Sequence, residues 1–196
     1  MKEAFYQYLS EKAMVHPEHL SALVDAVTER EFKKSEMLLR LGQVCEHTFF
    51  IEQGLTRLYS ISEEGVEHIL QFAPENWFIS ERSSVYFHQA SMLFIDAIED
   101  SKVVLLDRDF IEMATALSPE FRTYNEYILQ NHIRHLQNRI HLLIGSDARN
   151  RYLDFIRLYP DLSLRVPQWM IASYLGITPE SLSRVRKELA RQNYQP

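Results

Sequence analysis

The sequence predicts an α+β chain made of an all-β sandwich or roll, one long helix and a terminal helix-turn-helix. Three observations predict it. Short apolar stretches between Glu31 and Asp107 are punctuated by glycines, an apolar seam recurs at steps of 4, 3, 4 and 3 after Ser118, and two helical segments flank Gly176. The first is the pattern of strands joined by tight turns, the second that of a helix pairing along its length, the third that of two helices crossing at a short turn.

The elements follow in chain order. Residues 3–28 place Phe5, Leu9, Leu20, Leu23, Val24 and Val27 at helical spacing on either side of Pro17, which predicts two short helices. The strand candidates are MLLRLG, TFFIEQG, LTRLYSISEEG, VEHILQFAPEN, FIDAIED and VVLLD. Gly42, Gly54 and Gly65 fall 12 and 11 residues apart, where a glycine supplies the positive φ that successive turns require. Glu63-Glu64-Gly65 is the clearest hairpin. Trp77, Phe78, Tyr86 and Phe87 are read as core rather than as the lining of a cavity.

Ser118-Pro119-Glu120 combines an N-cap hydroxyl, a first-turn proline and an acid that complements the helix dipole. A helix over 119–145 would extend about 40 Å, ending at Gly145. Its seam, Leu129, Ile133, Leu136, Ile140 and Leu143, must be buried either on the β unit or on the same helix of a second chain, and pairing with a second chain is expected. Beyond it, Ala148–Tyr159 reads as a helix stopped by Pro160. Val166–Leu175 reads as a helix with proline in its first turn, Gly176-Ile177 as a tight connection, and Thr178-Pro179-Glu180 as the capped start of a last helix. Ala172, Ile177, Leu182, Val185 and Leu189 would fill the crossing of the last two helices. The expected divisions are 1–117, 118–145 and 146–196.

Composition narrows the function. The apolar runs Val103–Leu106 and Trp169–Ala172 are four residues long, against the roughly 20 needed to cross a bilayer, so no membrane partner is expected. The first residues, MKEAFYQYLSEK, lack an export signal, and the chain reads as cytoplasmic. One cysteine, Cys45, can form neither an internal disulfide nor a cysteine-ligated zinc or iron-sulfur site, and is assigned to packing. His16/His19 and His132/His135 are the nearest histidine pairs and are read as surface or interface side chains, so no metal is expected. With no nucleophile elbow, phosphate-binding loop or dinucleotide fingerprint, neither catalytic residues nor a cofactor are expected, and the protein is not read as an enzyme.

The net charge of −6 conceals an asymmetry: residues 1–145 carry 13 basic against 22 acidic side chains, residues 146–196 carry 8 against 5. The basic surplus coincides with the helix-turn-helix, whose second helix would lie in a DNA major groove. Arg184 can donate twice to guanine, Glu180 can accept from cytosine N4, and Thr178 and Ser181 can reach phosphates or bases. Gln168, Ser183 and Lys187 complete the expected DNA-binding set, and double-stranded DNA is the expected partner.

The run RVPQWMIASYLGITPESLSRVRKEL, preceded by RYLDFIRLYPDL, resembles the C-terminal helix-turn-helix of the Crp/Fnr family of bacterial transcription regulators. Upstream, the three glycines, FFIEQGLTRLY and FISE at 78–81 resemble that family's cyclic-nucleotide-binding, jelly-roll-like double-stranded β-roll, and the long helix its dimerisation helix. The resemblance covers nearly the whole chain. It implies a sequence-specific DNA-binding homodimer with RNA polymerase and an unidentified small-molecule effector as further partners, and it places Glu180, Ser183 and Arg184 where one branch of the family has E-x-x-S-R base contacts.

The departures bear on the effector. The family's nucleotide binders pair Gly-Glu with an arginine ten residues later; this chain has Ser80-Glu81 and then Ser91-Met92-Leu93. A serine does not replace a guanidinium fork on a cyclic phosphate. In the same register Leu136 and Gln137 stand where the cyclic AMP binders use hydroxyls. Glu81, Ser91, Leu136 and Gln137 therefore mark a degenerate pocket, and cyclic AMP is not the expected effector. After Leu189 seven residues remain, too few for the β-hairpin wing that follows the reading helix in the family, so a missing or vestigial wing is expected. The competing reading is a ligand-binding or scaffold protein that has lost DNA contact.

Overall fold

The computed structural model describes residues 2–192. They gather into two compact units: one contains the residues up to Val66 together with Leu70–Gln130, the other Glu67–Ile69 with the residues from Asn131 on.

The first unit opens with α1 (Glu3–Gln7), a π-helical turn (Tyr8–Lys12) and α2 (Pro17–Asp25). The apolar spacing predicted this pair, though the first helix widens into π geometry halfway along. Eight strands follow: β1 (Thr28–Phe32), β2 (Met37–Leu39), β3 (His47–Gln53), β4 (Thr56–Ile61), β5 (Glu67–Ala73), β6 (Phe78–Ile79), β7 (Phe94–Ala97) and β8 (Ser101–Asp107). They form two four-stranded sheets, ordered β1-β8-β3-β6 and β2-β7-β4-β5, with antiparallel pairing at β1–β8, β3–β8, β3–β6, β2–β7 and β4–β7. The hairpin expected at Glu63-Glu64-Gly65 joins β4 to β5, with Gly65 at φ +81°.

Alternation along the strands explains why the central runs are apolar throughout. Phe49, Ile51 and Val103 point between the sheets with Leu58 and Ile95. Their neighbours Phe50, Val104 and Leu106 point to the opposite face and meet Phe5, Leu9, Leu23 and Phe110 from the helices. Cys45 is buried in the first of these cores, as expected, with its Sγ on the His47 carbonyl at 3.2 Å. Gly54 is closely enclosed, with φ +96° and the Asp100 and Ser101 backbone directly against it.

Two helices of this unit were not foreseen. α3 (Arg82–Phe87) is capped by Glu81, and α4 (Arg108–Leu117) by Asp107, whose carboxylate accepts from the Phe110 N–H at 2.7 Å. The second carried a readable signal, an acid followed by Phe110, Ile111 and Ala114 on one face; the first, only six residues long, did not. Because of α3, two of the four aromatics expected in the core are outside it: Tyr86 is 42% and Phe87 72% exposed, whereas Trp77 and Phe78 pack on the cores.

The long helix α5 (Pro119–Gly145) has the predicted limits. Ser118 caps it, accepting from the Phe121 N–H at 3.1 Å and donating to the Glu120 carboxylate at 2.8 Å. The helix's own N–H at Glu120, then the Ser118 hydroxyl, holds the Glu120 carboxyl below its ordinary pKa. The seam is bare: Leu129, Ile133, Leu136, Ile140 and Leu143 are between 38% and 56% exposed.

The second unit continues with α6 (Ala148–Leu158), α7 (Leu162–Arg165), α8 (Gln168–Leu175) and α9 (Pro179–Gln192). Here α8 starts later than expected, because Val166 closes the unforeseen α7 and Pro167 sits at the N-cap rather than inside the first turn. Phe155 is at the centre, its ring 5.4 Å from Tyr159 and 5.6 Å from Tyr174. Of the seven residues after Leu189, 190–192 extend α9; for 193–196 the expectation of a missing or vestigial wing lies outside the described residues.

Candidate nucleic-acid interface

The geometry of α8 and α9 begins with Gly176. Its φ of +64° lets the backbone turn in the left-handed region, and a Cβ there would meet only side-chain ends, Leu143 Cδ2 at 3.3 Å and Arg151 Nη1 at 3.5 Å. Arg151 holds the turn from below. Its Nη1 donates to the Leu175 carbonyl at 2.9 Å and its Nε to the Ser146 carbonyl at 3.0 Å, which places one guanidinium on the carbonyl ends of α8 and α5. Arg139 adds a second tie, 3.7 Å above the Tyr174 ring and donating to the Tyr174 carbonyl at 3.0 Å. Sequence reasoning missed both arginines, since nothing in the spacing of a charged residue on an amphipathic helix shows that it turns inward to a carbonyl.

At the start of α9, the Thr178 hydroxyl accepts from the Ser181 N–H at 3.2 Å. The hydroxyl that the sequence offers to phosphates or bases caps the helix instead. Its second contact, a donation to the Ser181 hydroxyl at 3.3 Å, links two residues of the expected set to each other. The Glu180 carboxyl, at the positive end of the helix, is held below its ordinary pKa by its own backbone N–H and then by the Thr178 hydroxyl, so it is ionised at neutral pH.

Helical periodicity then separates two faces. Leu182 and Val185 are buried against the unit, with Leu189 half-buried one turn on, as the sequence required. Glu180, Ser183, Arg184 and Lys187, at i, i+3, i+4 and i+7, are all exposed. Gln168 is exposed at the first position of α8, and Ser181 is half-buried at the edge of the face. A row with one acid, one hydroxyl and two cations can accept from and donate to base edges.

The four residues of the degenerate pocket are otherwise occupied or exposed. Glu81 spends its carboxylate at the N-terminus of α3, accepting from the Ser83 N–H at 3.0 Å and the Ser84 N–H at 2.7 Å. Ser91 is buried; its hydroxyl donates to the Leu93 carbonyl at 2.9 Å and accepts from the Leu93 N–H at 3.0 Å. Leu136 and Gln137 are exposed on α5. Among the described residues, no three histidine, cysteine, aspartate or glutamate side chains gather as a metal cluster, and no helix is long and apolar enough to cross a membrane.

Residues 29–116 match the family model described as a cyclic nucleotide-binding domain. The chain is 26% identical over 181 residues to the "Anaerobic regulatory protein" of Pasteurella multocida, covering 86% of this chain and 66% of that one. It is 24% identical over 189 residues to the "Fumarate and nitrate reduction regulatory protein" of Yersinia pestis, covering 90% and 75%. The chain thus spans about two thirds to three quarters of the length of these relatives. Among solved structures, FixK2 from Bradyrhizobium japonicum superimposes with a TM-score of 0.72 at 23% identity, over 86% of each chain.

Proposed function

We propose that the chain is a transcription regulator of the Crp/Fnr type that reads duplex DNA in a sequence-specific way as a homodimer, a reading supported by its cyclic nucleotide-binding match over residues 29–116 and its likeness to an anaerobic regulatory protein. The observation that carries the reading is the exposed row Glu180, Ser183, Arg184 and Lys187 on a helix whose other side is anchored by Leu182 and Val185. Arg184 donates to guanine N7 and O6, Glu180 accepts from cytosine N4, and Gln168, Ser181 and Lys187 hold phosphates, with Thr178 acting through the cap. The bare seam of α5 supplies the second chain: five half-exposed leucines and isoleucines at heptad spacing gain burial by pairing with their own copy. Two heads so joined address half-sites about 34 Å apart.

Cyclic AMP is not the effector in this reading. Ser91 offers a hydroxyl already bonded to Leu93 where the phosphate would need a guanidinium, and Glu81 caps a helix. Titration calorimetry with cyclic AMP and cyclic GMP is expected to give no saturable heat.

The test is selection of duplexes from a random pool followed by gel shift. A roughly palindromic site should emerge, and Arg184→Ala should weaken it by about 1–3 kcal/mol per half-site while relaxing the preference at one base position. A selected site that binds Arg184→Ala with unchanged affinity and specificity removes the assigned reader; recovery of no site at all removes the function.

A further inference from the structure

A groove of about 670 Å³ runs between α3, α4 and the first part of α5, apart from Glu81 and Ser91. Its walls are Tyr86, Phe87, Leu106, Ile111 and Leu129. While Ser84 and Val85 turn the inner side of α3 into the roll, Tyr86 and Phe87 show large apolar surfaces to solvent beside this space. Aromatic surface left uncovered next to a concavity of this size is what small-molecule sites present.

The polar groups at the rim decide what kind of molecule fits. Two carboxylates line the groove and both are engaged, Asp107 on the Phe110 N–H at 2.7 Å and Glu112 on Arg108 Nε at 2.8 Å. Arg82 is different. Among the described residues its guanidinium meets no carboxylate, and lies 4.8 Å from the centre of the Tyr86 ring. The formal charges of Arg82, Arg108, Asp107 and Glu112 cancel, but among the described residues Arg82 is the lining cation with no carboxylate on it, so the groove joins carbon walls to one guanidinium whose donors are left for a ligand. A sugar or a second polar end would lose its hydration against those walls without recovering hydrogen bonds, whereas one carboxylate on an apolar body would match both features.

We propose that this groove binds a small amphipathic monocarboxylate, its acid group on Arg82 and its apolar body on Tyr86, Phe87, Ile111 and Leu129. Such a ligand touches α5 at the first residue of the seam, so it would connect the roll to the helix that pairs the chains. The site itself does not depend on the DNA reading, and its test does not involve DNA.

The experiment is calorimetric titration of the full chain with octanoate and, in parallel, with 1-octanol, followed by labelling with a diazirine-bearing octanoate and mass spectrometry. Octanoate should bind saturably. Arg82→Gln should weaken octanoate about tenfold and leave octanol unchanged, Phe87→Ala should weaken both, and label should fall on α3 and α4. Phe87 is 72% exposed, so the alanine variant keeps its fold. The proposal is overturned if octanoate gives no saturable heat in the low millimolar range, if Arg82→Gln binds it as tightly as the parent, or if label is confined to the seam beyond Leu129. Binding that disappears as chain concentration rises assigns the groove to a second copy and overturns it equally.

Discussion

Replacing either Gly54 or Gly176 with alanine adds the same methyl group at a left-handed backbone position, yet the structure predicts different losses. At Gly54 the new Cβ would stand 2.4 Å from Ser101 Oγ, 2.6 Å from the Asp100 carbonyl oxygen and 2.8 Å from Ser101 Cα. Two of those three atoms are backbone and cannot swing aside. The third is the hydroxyl that accepts from the Leu55 N–H at 3.2 Å and donates to the Glu99 carbonyl at 2.8 Å, so moving it breaks further bonds. Conformational strain of about 1–2 kcal/mol and overpacking of about 1–3 kcal/mol together predict a loss of about 2–5 kcal/mol. At Gly176 the neighbours are the movable ends of Leu143 and Arg151 at 3.3 and 3.5 Å, which leaves only the conformational cost of about 1–2 kcal/mol. The assay is urea unfolding followed by tryptophan fluorescence, using Trp77 in the first unit and Trp169 in the second, each isolated by changing the other to phenylalanine. Asparagine, which tolerates the left-handed region, should recover part of the loss at 176 and none at 54. Equal losses at the two positions, or rescue by Gly54→Asn, would refute the reasoning.

Other perturbations give further expected outcomes. Arg57 and Asp96 form a bidentate pair across β4 and β7 at 2.7 and 2.9 Å, with side chains only 8% and 10% exposed. Asp96→Ala should cost about 3–5 kcal/mol in chemical denaturation, while Arg57→Met with Asp96→Leu should recover most of it. Burial pushes the Cys45 thiol above its ordinary pKa, so iodoacetamide at pH 7.5 should label the native chain slower than the unfolded one by on the order of a hundredfold. The Glu120, Asp100 and Glu180 carboxyls are all held below their ordinary values in the folded chain. Their contribution is therefore complete above the ordinary carboxylate range and drains away as pH falls through the lowered folded values. Acid unfolding should consequently begin below about pH 4.5, and Glu120→Gln should reduce its steepness in a circular-dichroism titration.

The sequence by itself determined the elements whose periodicity is long or whose punctuation is chemical. The limits of α5 follow from Ser118-Pro119-Glu120 and Gly145, and the two faces of α9 follow from aliphatic residues at 182, 185 and 189 alternating with polar ones. The turns at Gly54 and Gly65 announced themselves because few other residues hold a positive φ cheaply. Tertiary structure decided what each polar atom spends its bonds on. Nothing in the order of residues shows that Thr178 caps a helix rather than facing outward, that Glu81 and Ser91 bond to their own backbone neighbourhood, or that Arg151 turns under Gly176. The same holds for Tyr86 and Phe87, whose apolar character predicted burial until a six-residue helix turned them outward. Periodicity reports which side of an element is apolar; hydrogen bonding and exposure of single side chains depend on neighbours that are distant in the chain, and only folding brings those neighbours together.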